Sequence, residues 1–433
     1  MQLNLQGWLS YIERLHPKAV DLGLERVAEV RNRLAASVHC PVIVVGGTNG
    51  KGSTCAMLEA ILTAAGYRTG VFTSPHLLRY NERVRINGRD AEDALLVEAF
   101  SNVESVRGNV ALTYFEFSTL AAWDLFCRSK LDVLILEVGL GGRLDAVNLF
   151  DADCTILTSV DLDHMDWLGD TREKIGWEKA HIFRPGRPAI CADPRPPQSV
   201  LDYASRIGAD LQLIEKDFGY QGDRQQWGYW GRGGKRAGLA YPALRGANQL
   251  LNASAVLSAL EVLRERIPVG MHDVRKGLSL VELPGRFQVL PGKPVIVLDV
   301  AHNPHAGAVL AENLSNMGFA PNTIAVFGML QDKDIAGVVR KVAARIDRWH
   351  LATLGSPRGT RACDLAKILT VAEVRAPILE FESPREAYLA ALDVAGENDR
   401  IVVFGSFLTV SEVLAARATQ TREVLNKWSK NSN

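Results

Sequence analysis

One stretch near the N-terminus constrains the fold of this chain more than any other. Val42–Val45 is a short apolar run without polar alternation. A glycine-rich turn follows, Gly46-Gly47-Thr48-Asn49-Gly50-Lys51-Gly52-Ser53-Thr54, then a helical stretch from about Ser53 to Ala65 and a second apolar run, Thr69–Thr73. Gly66 stands where a glycine just past a helix end belongs. Strand, helix and strand at this spacing form a βαβ unit, which requires a parallel sheet with right-handed crossovers. Two further unalternating runs, Asp132–Val138 and Cys154–Ser159, suit strands covered on both faces. The expected class is α/β.

The chain has 433 residues, more than one core usually fills (~250–300 residues), so two domains are expected. The turn-rich segment Glu282–Gly292 holds the boundary, taken at 284/285. Beyond it the βα pattern restarts, with strands at Val295–Val300, Thr323–Phe327, Trp349–Leu354 and Arg400–Gly405 and helices after Pro304 and at Leu408–Arg417. This second domain reads as Rossmann-like, but it lacks the GxGxxG opening of a dinucleotide site. Between Asp217 and Gly246, a Gly-, Arg- and aromatic-rich stretch reads as a hairpin or meander. Trp227, Tyr229 and Trp230 are expected to pack that small sheet rather than stack on bases.

Lys and Arg number 49 and Asp and Glu number 49. A net charge of zero argues against a general binder of nucleic acid or membrane surfaces. The six cysteines form no CxxC pair and read as reduced thiols. The N-terminal stretch has no apolar h-region, and no apolar run reaches the ~18 residues of a membrane span. A cytoplasmic enzyme is the expected class.

Three clusters carry chemistry. In the turn 46–54, glycines let backbone amides converge on an anion at a helix N-terminus. Lys51 supplies a mobile charge for phosphates, and Ser53 or Thr54 offers a hydroxyl to phosphate or metal. The turn departs from the standard phosphate loop: Val45 replaces its first glycine, and Gly52 directly follows the lysine. Glu137 closes an apolar strand where a parallel sheet places ligands, and a carboxylate there can hold Mg²⁺. Gly139, Gly141 and Gly142 allow close backbone approach to a bound group. His164, flanked by Asp161, Asp163 and Asp166 after another strand end, is a metal candidate. Lys179, read alone, is a solvated helix lysine.

The chain carries, in order, GTNGKGST, TSPHLLRYNERVR (73–85), EVGLGGRLDA, LDHMDWLGD (162–170), EKAHIF, LPGRFQ (283–288) and LDVAHNPHA (298–306). Together these resemble the bacterial dihydrofolate synthase/folylpolyglutamate synthase family of the Mur ligase superfamily, over nearly the whole chain. The resemblance implies a P-loop-type, mostly parallel N-terminal ATPase domain (1–284) that also binds a pterin. It implies a smaller Rossmann-like glutamate-ligase domain (285–433), with ATP at the cleft between them. Thr48, Asn49, Gly50, Lys51, Gly52 and Ser53 would hold the phosphates of ATP. Asn252, Arg286 and Asp299 would meet the nucleotide. Ser74, Glu137 and His164 would bind two Mg²⁺ ions, and Lys179 matches a lysine that the family carbamylates.

The implied substrate contacts are Asp21, Leu22 and Gly23, Thr113, Tyr114, Phe115 and Glu116, and Leu144 with Asp145. His302, expected to begin the helix after its strand, would lie near the same cleft. The implied reaction joins L-glutamate to dihydropteroate and to reduced folates. The rival within the superfamily adds an amino acid to a peptidoglycan precursor. A monomer is the family expectation. His181 and Trp177 depart from the family pattern beside Lys179 and are expected to bear on the carbamate's surroundings.

Overall fold

The computed structural model describes residues 3–18, 20–223, 225–246 and 248–431. It divides into two compact units, Met1–Ala243 with Asn248–Glu282, and Leu244–Ala247 with Leu283–Asn433.

The first unit is built on an eight-stranded sheet. In spatial order its strands are Arg89–Asp90, Val84–Ile86, Thr69–Phe72, Val133–Glu137, Val42–Gly46, Cys154–Leu157, Pro188–Cys191 and Asp210–Leu213. The six from Thr69–Phe72 onward pair in parallel, and the first two form an antiparallel edge. Val42–Gly46 lies inside this sheet and is buried along its whole length, which is why its sequence does not alternate. The chain leaves Val42–Gly46 toward one side of the sheet and Cys154–Leu157 toward the other. Their adjacent C-terminal ends therefore form a topological switch point, the usual ligand crevice of an open α/β sheet.

The helix after the glycine turn spans Lys51–Ala64, starting two residues earlier than expected. It ends as the sequence predicts. Gly66 takes φ +88°, its amide donates to Thr63 O at 3.0 Å and that of Tyr67 to Leu62 O at 3.0 Å. These two bonds are the Schellman pattern, in which a left-handed residue closes the last carbonyls.

The aromatic-rich segment forms a three-stranded antiparallel meander, Gly219–Gly222, Trp227–Gly231 and Gly234–Leu239. Trp227 and Tyr229 are buried. The Trp227 indole N–H donates to Ala240 O at 2.9 Å, and Trp230 lies so close over Gly219 that a Cβ there would sit 2.7 Å from the ring. These aromatics pack a sheet.

The second unit holds a six-stranded sheet in the order Gln288–Leu290, Val295–Leu298, Arg400–Phe404, Thr323–Phe327, Arg348–Ala352, Ile378–Phe381. All neighbours are parallel except the first pair. Phe327 meets Trp349 edge-on with centroids 5.5 Å apart and Phe404 at 4.9 Å, forming the aromatic centre of this core. Edge strand Ile378–Phe381 is half-buried at its two ends and exposed between them, and left no apolar run to read. The last helix begins at Phe407 and runs on to Asn431, well past Arg417. No helix among the described residues is long and apolar enough to cross a membrane.

Helix Met271–Leu280 packs directly on the glycine-loop helix. A Cβ on Gly277 would lie 2.4 Å from Ile61 Cα and 2.6 Å from Ile61 N. These are backbone atoms and cannot rotate away. Gly277→Ala is expected to lower the unfolding free energy by about 2 kcal/mol or more, as overpacking does. Urea denaturation measures it, and an unchanged midpoint would show that the two helices separate without strain.

Candidate active site

The glycine turn is pinned by the loop after Cys154–Leu157. The Thr48 amide donates to Ser159 O at 2.7 Å. Thr158 Oγ1 donates to Asn49 O at 2.7 Å, and the Asn49 amide donates to Ser159 Oγ at 3.1 Å. Thr48 Oγ1 accepts from the Asp161 amide at 3.0 Å. Sequence reading missed Thr158 and Ser159, although they stand at a strand end just as Glu137 does.

Two glycines are obligatory here. Gly47 sits at φ +144°, and a Cβ on it would lie 1.9 Å from Thr158 Oγ1. Gly50 sits at φ +91° against buried Asn252, whose Oδ1 would be 2.7 Å from a Cβ. Asn252 is thus brought to the loop, as the resemblance implies. Its Nδ2 donates to Gln249 Oε1 at 3.1 Å, and Gln249 Nε2 reaches Ser53 Oγ at 3.5 Å. Gly52 and Ser53 lie in the first turn of the helix, with its free amides.

Lys51 and Lys179 share one acceptor. Lys51 Nζ donates to Gly47 O at 3.0 Å and to Thr48 O at 3.4 Å. Lys179 Nζ donates to the same Gly47 O at 3.1 Å. Lys179 is 5% exposed, so reading it alone as a solvated helix lysine is wrong: helix Arg172–Ala180 turns that face into the protein. Burial pushes its ammonium down to about 7, and the charge of Lys51 adds to the effect.

Trp177 and His181 lie two residues to either side, which on a helix is roughly the opposite face. There they pack on each other at 4.3 Å, His181 on Tyr203 at 4.0 Å, and Trp177 under Arg143 at 4.9 Å. They do not crowd the Lys179 amine.

Glu137 is buried at the end of its strand, and its Oε2 accepts the Ser74 amide at 3.1 Å. The structure therefore joins Ser74 to Glu137, a hydroxyl and a carboxylate, both hard oxygen donors suited to Mg²⁺. His164 takes φ +51° ahead of the short helix Met165–Leu168, with its Nε2 3.9 Å from Asp163 Oδ1. Among the described residues no three His, Cys, Asp or Glu side chains converge as a ligand set.

The loop leading from Ser74 is ordered by Glu82, which accepts the amides of Leu77, Leu78 and Arg79 at 2.7–2.8 Å. Arg83 Nε donates to His76 Nδ1 at 2.8 Å. Burial and that guanidinium push His76 down to about 4, so it stays a neutral acceptor.

A second group of expected residues also converges. Glu116 and Thr113 form a capping box at the start of helix Tyr114–Arg128. Glu116 Oε2 accepts the Thr113 amide at 2.8 Å, and its own amide donates back to Thr113 Oγ1 at 3.3 Å. Arg26 Nε donates to Glu116 Oε2 at 3.0 Å and Arg26 Nη1 to Asp21 Oδ2 at 2.6 Å. Asp21, Leu22 and Gly23 are thereby tied to the Thr113 turn. Tyr114 lies under Arg83 at 5.3 Å. The tip of the Phe115 ring abuts Gly139, so close that a Cβ there would sit 2.6 Å from its Cζ.

Asp145 accepts the amides of Gly139, Leu140 and Val147 at 2.8–3.0 Å. Burial nevertheless pushes its carboxyl up to about 6, against the pull of those amides. Leu144 beside it is half-buried.

In the second unit, Asp299 joins the two motifs that flank it. It accepts the Phe287 amide at 2.9 Å and the Ala301 amide at 2.7 Å. Arg286 stacks over Phe407 at 4.9 Å. His302 does not begin the next helix: Asn303 is its N-cap, accepting from the Ala306 amide at 2.9 Å, and Pro304 is its first residue. An asparagine side chain followed by proline makes the better start. His302 instead turns Nδ1 to Val300 O at 2.8 Å.

A glycine turn with two lysines at a sheet's switch point, a strand-end glutamate and a separate Rossmann-like unit define an ATP-dependent amide ligase of the Mur type. The Mur ligase middle domain family matches residues 45–192, and the family described as Mur ligase, glutamate ligase domain, matches 285–407. The chain belongs to the dihydrofolate synthase/folylpolyglutamate synthase family. It is 44% identical over 411 residues to the dihydrofolate synthase/folylpolyglutamate synthase of Escherichia coli K12, covering 95% of this chain and 94% of that protein. The solved structure of E. coli FolC in complex with DHPP and ADP superposes with a TM-score of 0.92 at 43% identity, covering 97% of this chain and 99% of that one. A bifunctional folylpolyglutamate synthase/dihydrofolate synthase with Mn, AMPPNP and L-glutamate bound gives a TM-score of 0.88 at 44% identity, covering 96% and 98%.

Gly47→Ala is expected to weaken ATP binding about tenfold or more, roughly 1.4 kcal/mol, because the new methyl group displaces Thr158 and the amides it orders. Calorimetric titration reads the affinity and circular dichroism checks the fold. Wild-type affinity in this variant would show that the turn does not hold the nucleotide.

Proposed function

We propose that this protein joins L-glutamate to 7,8-dihydropteroate, giving dihydrofolate, and to tetrahydrofolate in polyglutamylation, consuming ATP to ADP and phosphate. The observation that carries the reading is the meeting of Lys51 and Lys179 on Gly47 O at the switch point, in a chain 44% identical to a dihydrofolate synthase/folylpolyglutamate synthase. A Mur-type ligase acting on a peptidoglycan precursor shares only the wider superfamily.

A carboxylate is a poor electrophile. Its oxygen must first take the γ-phosphoryl group, giving an acyl phosphate whose phosphate can leave. The glutamate amine then attacks the acyl carbon, and the C–O bond to phosphate breaks. Phosphoryl transfer depends mainly on positioning and charge neutralisation. In this reading the amides of residues 48–53 and the Lys51 ammonium hold the phosphates, and Asn252 fixes Gly50 beneath them. Arg286, Asp299 and His302 serve the nucleotide and glutamate from the second unit. Asp21–Gly23, Thr113–Glu116 and Leu144–Asp145 receive the pterin. Ser74, Glu137 and His164 would hold two Mg²⁺ ions, which would neutralise phosphate charge.

Lys179 belongs to this reading as a carbamate. An ammonium offers a cation nothing to bind. Burial holds the Lys179 amine near neutral pH, so a good share of it carries a free lone pair. That lone pair forms an N–C bond to CO₂, one proton goes to solvent, and the product carries one negative charge shared over two oxygens. The protein acts as a monomer in the cytoplasm, whose reducing conditions suit six cysteines that the structure leaves unbridged.

Purified protein is expected to form dihydrofolate from dihydropteroate, L-glutamate and ATP, seen by mass spectrometry. Lys51→Ala is expected to abolish the product while leaving the fold intact, which circular dichroism checks. Product formation at near-normal rate by folded Lys51→Ala would refute the assignment. Incubation with ¹³C-bicarbonate should give a carbamate carbon resonance that is missing in Lys179→Ala, a variant expected to be nearly inactive. An active enzyme without that resonance would leave Lys179 as a plain buried amine.

A further inference from the structure

Between helix Leu5–Glu13 and helix Glu25–Leu34 the described chain carries no helix or strand. Helix Glu25–Leu34 begins at Leu24 without a side-chain cap. The segment with Asp21, Leu22 and Gly23 therefore draws its orientation from side-chain contacts, and those contacts converge on Asp21. Lys18 Nζ reaches it at 3.1 Å and His16 Nε2 at 3.6 Å. Lys18 is largely exposed, so its ion pair is weak and screened.

Arg26 differs. It is half-buried, gives Nη1 to Asp21 Oδ2 at 2.6 Å and Nη2 to the Asp21 carbonyl oxygen, and gives Nε to Glu116 Oε2 at 3.0 Å. Glu116 is 4% exposed and belongs to the capping box that sets Thr113–Glu116. One planar guanidinium thus spans an acidic residue of the N-terminal segment and the buried acid that starts helix Tyr114–Arg128. Only a rigid fork with several donors can do this; an ammonium is a single point of charge.

We propose that Arg26 is a positioning residue for the pterin substrate: by clamping Asp21 to Glu116 it holds the Asp21–Gly23 segment and the Thr113–Glu116 turn at a fixed separation. The inference rests on the reading of those two segments as the pterin's contacts. Arg26 lies on neither the glycine turn nor the Glu137 strand, so its effect is confined to one substrate.

The test measures kcat and the KM values for dihydropteroate, ATP and L-glutamate in the wild type, Arg26→Ala and Arg26→Lys, with melting temperatures. Arg26→Lys keeps a cation beside the buried Glu116, so it folds even if Arg26→Ala does not. The expected result for Arg26→Lys is a KM for dihydropteroate raised about tenfold, with KM for ATP and L-glutamate within about twofold and an unshifted melting temperature. An unchanged KM for dihydropteroate in Arg26→Lys overturns the clamp. So does a parallel loss in kcat and all three KM values with a lowered melting temperature, the mark of a merely structural role. A wild-type protein that never accepts dihydropteroate overturns the underlying reading as well, whereas an active wild type with an indifferent Arg26→Lys removes the clamp alone.

Discussion

The active site depends on one carbonyl oxygen. Gly47 O receives both Lys51 and Lys179, and it can do so only because Gly47 takes a backbone conformation that its missing side chain permits. The turn is held from below by Thr158 and Ser159, which occupy the neighbouring strand's end across the switch point. Two lysine side chains are thereby packed side by side at the switch point. Burial, with the charge of Lys51 adding to it, is the source of the lowered Lys179 pKa.

The remaining polar groups extend this arrangement outward. Glu137 accepts the Ser74 amide, and Arg85 links Glu59 of the glycine-loop helix at 2.8 Å to the Glu82 carbonyl at 3.2 Å. The nucleotide helix and the Ser74 loop are thus mechanically coupled through a largely buried ion pair. Asp145 gathers three backbone amides, and Glu116 takes the Thr113 amide and the Arg26 guanidinium, each at the start of a helical turn. A buried carboxylate that accepts amides costs less than an isolated one and fixes loop geometry that no regular element would supply.

The parts of this architecture with a local signal were legible in the sequence. The strands Val42–Gly46, Val133–Glu137 and Cys154–Leu157 announce themselves by unbroken apolar runs, and Gly66 marks a helix end through its backbone requirement. The Lys51 loop follows from glycine spacing alone. Lys179 was not legible from its neighbours, because its burial depends on how helix Arg172–Ala180 docks beneath the glycine turn, a contact across more than a hundred residues. Thr158, Ser159, Gln249 and Arg26 escaped for the same reason: each acts on a segment remote in sequence. The half-polar edge strand Ile378–Phe381 had no pattern to read. His302 was placed one element too late because Asn303 and Pro304, not the histidine, carry the helix-start chemistry.

The central claim is that ATP activates a substrate carboxylate. It is tested most directly by labelling the dihydropteroate carboxylate with ¹⁸O and collecting the inorganic phosphate released during dihydrofolate synthesis. The account predicts one ¹⁸O atom in each phosphate, carried over when the acyl C–O bond breaks. Unlabelled phosphate, released at the rate of dihydrofolate formation, would contradict it.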